Sequence, residues 1–338
     1  MLEKGLVQVY TTTSESFNFA PLGLCLRASG HSLRSFIICF SSHDLDKACT
    51  QVSSLLSPFL DIKHPFTHEE KATEEEHLIQ ALFSEVKTAM SHGTYDLVVL
   101  TGLQAPLEQG VITSKDLIQL CLEKAPHVEL VFSGSILPSD LLDHADLVTE
   151  MAVSHRIVKA TKPDPETGTV EVVTGDGKGK TTYCLGKALL YSALGISTFM
   201  LQLIKSPMRY GEIVAAERLP HFTIKTMGKG FLGMGGKPIE KKHIEAANKA
   251  WDVGLREMRS LRHGLIILDE INVATYYGLI KGDKVAEMLH ERPAGLDFLL
   301  SGRNAHPDVM KEATTLIEMR EIKHPYHKGI KARKGIEF

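Results

Sequence analysis

The sequence has no apolar run long enough to cross a membrane; its apolar runs, such as Leu97–Leu100 and Leu265–Leu268, have the length of a β-strand. It has no marked excess of charge of either sign. Lysine plus arginine total 38 against 41 aspartate plus glutamate, a formal net charge of -3, which offers no footprint for nucleic acid or anionic lipid. Cysteine is sparse. Cys25, Cys39, Cys49, Cys121 and Cys184 are odd in number, scattered and without metal-type pairing, so they are expected as reduced interior residues. Met1–Gly5 runs straight into a strand-like segment and leaves no room for a signal peptide, so a cytoplasmic protein is expected. What remains is ordinary globular material. The chain is 43% hydrophobic and 23% charged over 338 residues, enough for two domains.

The chain repeats itself. Gly5-Leu6-Val7-Gln8-Val9-Tyr10-Thr11 resembles Gly168-Thr169-Val170-Glu171-Val172-Val173-Thr174. Leu97–Leu100 then matches Leu265–Leu268, Ser133-Gly134 matches Ser301-Gly302, and Glu150-Met151 matches Glu318-Met319. Four segments in the same order at nearly constant spacing indicate a tandem duplication, with loop insertions accounting for the drift in offset. The expected division is a first copy at 1–158, a polar, proline-bearing linker at 159–167 and a second copy at 168–338. In the second copy, strands are predicted at 170–173, 198–204, 265–268 and 296–300. Helices are predicted at 181–194, 239–259, 283–291 and 307–313. Strands that alternate with helices and lack a period-2 pattern predict an α/β fold, a parallel sheet covered on both faces. Ligands of such sheets bind beyond the carboxyl ends of the strands.

At that place in the second copy stands Thr174-Gly175-Asp176-Gly177-Lys178-Gly179-Lys180-Thr181-Thr182, between a strand and a helix. Gly175, Gly177 and Gly179 let backbone N–H groups turn inward around an anion, and the helix N-terminus adds its positive end. Lys180 supplies a point charge and the Thr181 hydroxyl a magnesium ligand. Thr174 replaces the usual first glycine. Asp269 and Glu270 close the apolar strand 265–268, where they can hold Mg²⁺ directly or through water. The fold expected is therefore P-loop NTPase-like and duplicated in tandem. In the first copy Phe17 stands at the lysine position, Glu15 adds negative charge, and Thr101-Gly102 replaces the acid pair. That copy is degenerate and should not bind a nucleoside triphosphate.

From about Thr169 to Phe338 the chain resembles the ATP:corrinoid adenosyltransferases of cobalamin biosynthesis, which also have threonine before the first loop glycine. The carrying residues, beside the loop, are Gln202-Leu203-Ile204-Lys205, Gly211-Glu212, Met227–Phe231, Leu268–Asn272, Arg292-Pro293 and Ser301-Gly302-Arg303. The tail is the most specific part: Glu318-Met319-Arg320, Lys323–Tyr326, Gly329 and Gly335-Ile336-Glu337-Phe338. The resemblance implies that a reduced Co(I) corrinoid attacks the 5′ carbon of ATP and triphosphate leaves. The nucleophile is then the corrinoid's own metal, and the protein needs no serine, cysteine or histidine nucleophile. Lys178, Lys180 and the loop amides (Gly175 to Thr182) would neutralise the leaving triphosphate, and Thr181, Asp269 and Glu270 would bind magnesium. Lys180 and Glu270 are the catalytic candidates. Lys205 and Arg303 are candidates for phosphate or corrinoid-carboxamide contact, and Phe231 for corrinoid contact.

The chain departs from the family in three places. Gly230-Phe231-Leu232-Gly233 stands where the family has Gly-Phe-Thr-Trp, so half of an aromatic pair associated with the corrinoid's lower face is missing. The family arginine near the end of the helix after the loop falls at Leu190 or Tyr191, whereas Leu26-Arg27-Ala28-Ser29-Gly30-His31 in the first copy keeps that pattern. The basic N-terminal helix of the family is absent and the first copy occupies its place. Because family members pair two subunits, the degenerate copy is expected to act as an internal partner; an electron-donating reductase is the external one. Trp251 is expected in the core, the acidic start of 73–86 on a solvated helix face, and His324 and His327 outside any metal site. A phosphate-loop ATPase or nucleotide-gated binding protein that has lost corrinoid chemistry, with Glu270 orienting water, stays open beside the transferase.

Overall fold

The structure is a computed structural model and describes residues 2–13, 17–40, 46–65, 72–155, 168–230 and 239–338. The expected linker and Phe231 lie outside them. The first half runs β1 (Val7–Thr12), α1 (Ala20–Ser29), β2 (Ser35–Cys39), α2 (Asp46–Leu56), β3 (Leu60–Lys63) and α3 (Ala72–His92). It continues with β4 (Leu97–Thr101), α4 (Gln104–Glu108), α5 (Ser114–Glu123), β5 (Glu129–Gly134), α6 (Ser139–His144) and β6 (Leu147–His155). The second half repeats this order as β7 (Val170–Thr174), α7 (Lys180–Ala193), β8 (Thr198–Gln202), α8 (Gly211–Ala216), β9 (Phe222–Thr226) and α9 (Lys241–Arg259). Then come β10 (Leu265–Asp269), α10 (Ile271–Tyr276), α11 (Gly282–His290), β11 (Asp297–Ser301), α12 (Pro307–Glu312) and β12 (Thr315–Lys323). Every predicted element of the second half is present within about two residues of its expected ends.

Among the described residues twelve strands form one sheet, in the order β3-β2-β4-β5-β1-β6-β12-β7-β11-β10-β8-β9. Read from either edge inward, the order is the same for equivalent strands. Within each half the strands are parallel; the halves meet at one antiparallel pair, β6 with β12. There Met151 lies opposite Met319, the two methionines that the repeat equates. A two-fold relation between the halves requires this pairing. The all-parallel sheet expected from the strand pattern is thus interrupted once, at its centre. Short Val/Ile/Leu runs such as Leu97–Leu100 and Leu265–Leu268 are fully buried because helices cover both faces.

One core is shared by the halves. On one face α1 and α7 cross, and Leu22, Leu26, Tyr183, Leu185, Leu189, Met151 and Met319 pack in a single cluster. On the opposite face each half has its own core, Phe83, Met90, Leu117 and Phe132 in the first and Trp251, Val285, Leu289 and Phe298 in the second. The α1–α7 crossing is backbone on backbone. A Cβ at Gly23 would lie 1.8 Å from the Thr182 carbonyl oxygen, and one at Gly186 would lie 1.9 Å from that of Phe19. Gly23 and Phe19 occupy the repeat positions of Gly186 and Thr182, so the crossing is symmetric. Among the described residues no helix is long and apolar enough to cross a membrane. Cys25, Cys39 and Cys184 are buried and Cys121 is half-buried.

Candidate active site

The phosphate loop leaves β7 and opens α7. Gly179, the N-cap residue, has φ +112°, a conformation that a side chain would strain. Gly177 lies against the central strand: its N–H donates to the Met319 carbonyl at 2.8 Å, and a Cβ there would come within 2.9 Å of that oxygen. The loop can take this path only with glycine at that point. Lys180, the first residue of α7, donates from Nζ to the carbonyls of Gly175 (2.7 Å) and Gly177 (2.6 Å). The cation is thereby held at the helix N-terminus, where backbone N–H groups face an anion. Burial pulls the ammonium down to about 8, partly offset by the carboxylate of Glu270.

Asp269 ends β10 and is wholly buried. Its Oδ1 accepts from Thr181 (3.0 Å) and Ser301 (2.7 Å), and its Oδ2 from Gln202 (3.1 Å). Glu270 follows with φ +64°, a left-handed conformation that costs a non-glycine residue about 1–3 kcal/mol and collects at functional sites. Its N–H donates to the Ser301 hydroxyl at 3.2 Å, which fixes the turn, and its side chain lines the cavity beside the loop. Burial first, and the Asp269 carboxylate second, push the Glu270 carboxyl up to about 7. A hydroxyl and two carboxylates around a buried anionic corner form the oxygen set that a magnesium ion takes together with phosphate oxygens and water.

The cavity above the loop measures about 830 Å³. It is lined by Gly177 to Thr182, Lys205, Glu270 and Arg303 from the second half and by Gln8, Tyr10, Leu24 and Arg27 from the first. Arg27 is a contribution that no motif of the second copy announces. Its guanidinium, 5% exposed, donates from Nε to Glu212 (2.9 Å) and from a terminal nitrogen to the Ile336 carbonyl (2.9 Å). Lys205 binds the other oxygen of Glu212 at 2.5 Å. Burial alone would raise the Glu212 carboxyl, but the two cations hold it far below the usual carboxylate range. Two cations on one carboxylate leave a net positive charge facing the cavity. The arginine pattern at Leu26–His31 was the signal; nothing local showed that it reaches the other half.

The tail closes the third side. Glu337 pairs with Lys178 at 2.8 Å, so that loop lysine is already neutralised. Glu337 also accepts from Arg333, whose terminal nitrogens reach both oxygens of the buried Glu129 at 2.6 and 2.8 Å. Gln8 donates to Glu129, and the Tyr10 hydroxyl donates to Gln8 at 2.8 Å. A buried polar network thus joins the loop, the tail and the floor from the first half. Arg303 is half-exposed and held on the loop through the Asp176 carbonyl (3.1 Å). Thr182 turns its hydroxyl to the Gly179 carbonyl (3.0 Å) and serves the helix start. His324 and His327 face an adjoining open basin, and His327 is bound to Glu321 at 2.8 Å. In the first half Phe17, at the repeat position of Lys180, meets Phe19 edge-on, and Phe19 meets Tyr183 of α7.

A family model described as ATP:corrinoid adenosyltransferase BtuR/CobO/CobP matches residues 3–163 and again 166–338. The chain belongs to that family. The corrinoid adenosyltransferase of a Sinorhizobium species is 35% identical over 200 residues, which span 58% of this chain and 91% of the relative. That of Pseudomonas aeruginosa is 32% identical over 181 residues, 53% of this chain and 88% of its own length. An uncharacterised protein of a Nostoc species is 28% identical over 264 residues, 75% of this chain and 69% of its own. The two named adenosyltransferases are covered almost whole by little more than half of this chain. A corrinoid adenosyltransferase family chain built from two family-length copies has this proportion.

Proposed function

We propose that the chain transfers the 5′-deoxyadenosyl group of ATP to the Co(I) of a corrinoid at one site per chain. Co(I) supplies the electron pair, the cobalt–carbon bond forms at C5′, and the C5′–O bond breaks with its pair passing to triphosphate. The carrying observation is the placement of Lys180, tied to two loop carbonyls at the start of α7, in a cavity shared with Glu270 and Arg27. Lys180 and the loop amides take up charge on the departing triphosphate, and preorganised donors of this kind supply the largest electrostatic share of catalysis. Thr181, Asp269 and Glu270 would hold Mg²⁺, which screens the phosphates. Lys205 and Arg303 border the same cavity, and Lys178 becomes available to phosphate when it parts from Glu337. The first half acts as an internal partner subunit: it brings Arg27, Gln8 and Tyr10 to the site and lacks a phosphate loop of its own. A cytoplasmic setting and a separate reductase that supplies Co(I) complete the reading.

The test is an anaerobic product assay with ATP, Mg²⁺ and chemically reduced corrinoid. Light-sensitive adenosylcorrinoid and inorganic triphosphate are expected. ADP and phosphate with an unchanged corrinoid spectrum would instead make the protein an ATPase. The metal assignment has its own check. Protonated Glu270 cannot ligate a cation, so Mg²⁺-dependent ATP affinity should rise as pH climbs through about 7, where this carboxyl ionises, by up to about tenfold per pH unit. Glu270→Gln should flatten that part of the profile in calorimetric titrations; an unchanged slope would remove Glu270 from the magnesium site.

A further inference from the structure

The mouth of the cavity carries apolar surface that the triphosphate chemistry does not use. Met208 and Tyr276 line it at 62% and 60% exposure, with Tyr277 beside them at 38%. The two tyrosine rings meet edge to face, centroids 5.2 Å apart. They stand at the end of α10, the short helix that begins next to Glu270, so their position is set by the same element as the acid pair. Tyr210, also on the wall, is already engaged by Lys205, whose Nζ lies 5.1 Å from its ring centroid. The cavity's 830 Å³ is the space of one ligand of moderate size (roughly 300–1,000 Å³). A nucleotide with its triphosphate on the loop fills it, and a second, larger substrate must rest on the rim.

We propose that Tyr276 and Tyr277, with Met208, form the seat on which the corrin ring lies. This rests on the adenosyltransferase reading and adds the residues that receive the second substrate. Exposed rings and a thioether offer a broad, polarisable apolar surface to a flat macrocycle, and they present it at the edge of the chamber that holds ATP. Phenol edges also let the amide-fringed periphery of a corrin stay hydrated.

The experiment is a spectral titration of the full chain with Co(II) cobinamide in the presence of Mg²⁺ and ATP, where transfer does not proceed. Saturable binding is expected. Tyr276→Ala and Tyr277→Ala should each weaken it roughly tenfold, and Tyr276→Phe and Tyr277→Phe should leave it near wild type. ATP affinity measured by calorimetry should stay unchanged in all four. Met208→Asp, at an exposed position, should weaken corrinoid binding without touching either ring. Corrinoid affinity unchanged in the alanine variants would overturn the seat while leaving the transferase intact. A parallel loss of ATP affinity would overturn it by placing adenine there. A defect confined to turnover driven by a flavoprotein donor, absent under chemical reduction, would overturn it by giving the face to the reductase. Wild-type protein that binds no corrinoid at all would sink the transferase reading together with the seat.

Discussion

Lys180→Ala is expected to lower adenosyl transfer by about a thousandfold or more, with the fold intact. The side chain is half-buried, and its Nζ spans the carbonyls of Gly175 and Gly177, so it meets the triphosphate without first being ordered. Its burial is partly offset by the carboxylate of Glu270. A triphosphate brings far more negative charge, and more of it collects on the leaving group as C5′–O breaks. The lysine therefore stabilises the transition state more than the bound ATP, and its removal should lower kcat as well as affinity. Lys178→Ala makes the contrast. That lysine is held by Glu337 at 2.8 Å, so the phosphates must compete for it and a loss of about tenfold or less is expected. Initial rates from the corrinoid spectrum, with melting temperatures as a control for folding, decide the matter. Lys180→Ala retaining a tenth of wild-type activity would put the triphosphate elsewhere.

The residues that make this site were legible to different depths, for a physical reason. The loop from Thr174 to Thr182 and the pair Asp269-Glu270 declare themselves because each function sits in one short segment with its strand and helix signals alongside. The repeat was legible for the same reason: Leu97–Leu100 and Leu265–Leu268 are locally alike. Arg27 and Glu129 were not legible as site residues. Arg27 meets Glu212 across 185 residues of sequence and Arg333 meets Glu129 across 204, and no local pattern encodes such pairings. The central antiparallel junction escaped for a related reason. Glu318-Met319 reads as a family motif, while its pairing with Glu150-Met151 depends on the two halves facing one another. Phe17 at the lysine position announced lost charge in the first copy, but the packing of Phe19 on Tyr183 joins the two halves and has no local signature.

The symmetric crossing of α1 and α7 gives the largest expected change in stability. Alanine in the middle of a helix normally gains about 1 kcal/mol over glycine. Gly186→Ala should instead destabilise the protein by about 3 kcal/mol, because its Cβ would lie 1.9 Å from the Phe19 carbonyl oxygen and 3.0 Å from the Gly23 nitrogen. Both contacts are backbone, so no rotamer can relieve them; the helices must part, and the core they share loosens around Leu22 and Leu189. Gly254→Ala in α9 is the matched control. Its Cβ would meet only the Leu201 and Leu268 methyl groups, at 3.5 and 3.7 Å, so the ordinary gain in helix propensity should survive. Gly23→Ala should repeat the Gly186 effect, and the double variant should cost less than the two singles together, since helices already parted accommodate the second methyl. Thermal melts of the four proteins test this directly. A Gly186→Ala protein that melts with or above wild type would mean that the halves do not depend on this crossing. A strictly additive double variant would mean that the two glycines serve separate contacts. Loss of adenosyl transfer alongside the lowered melting temperature would tie the crossing to the site, because α7 carries Lys180 at one end and the first half brings Arg27 on α1.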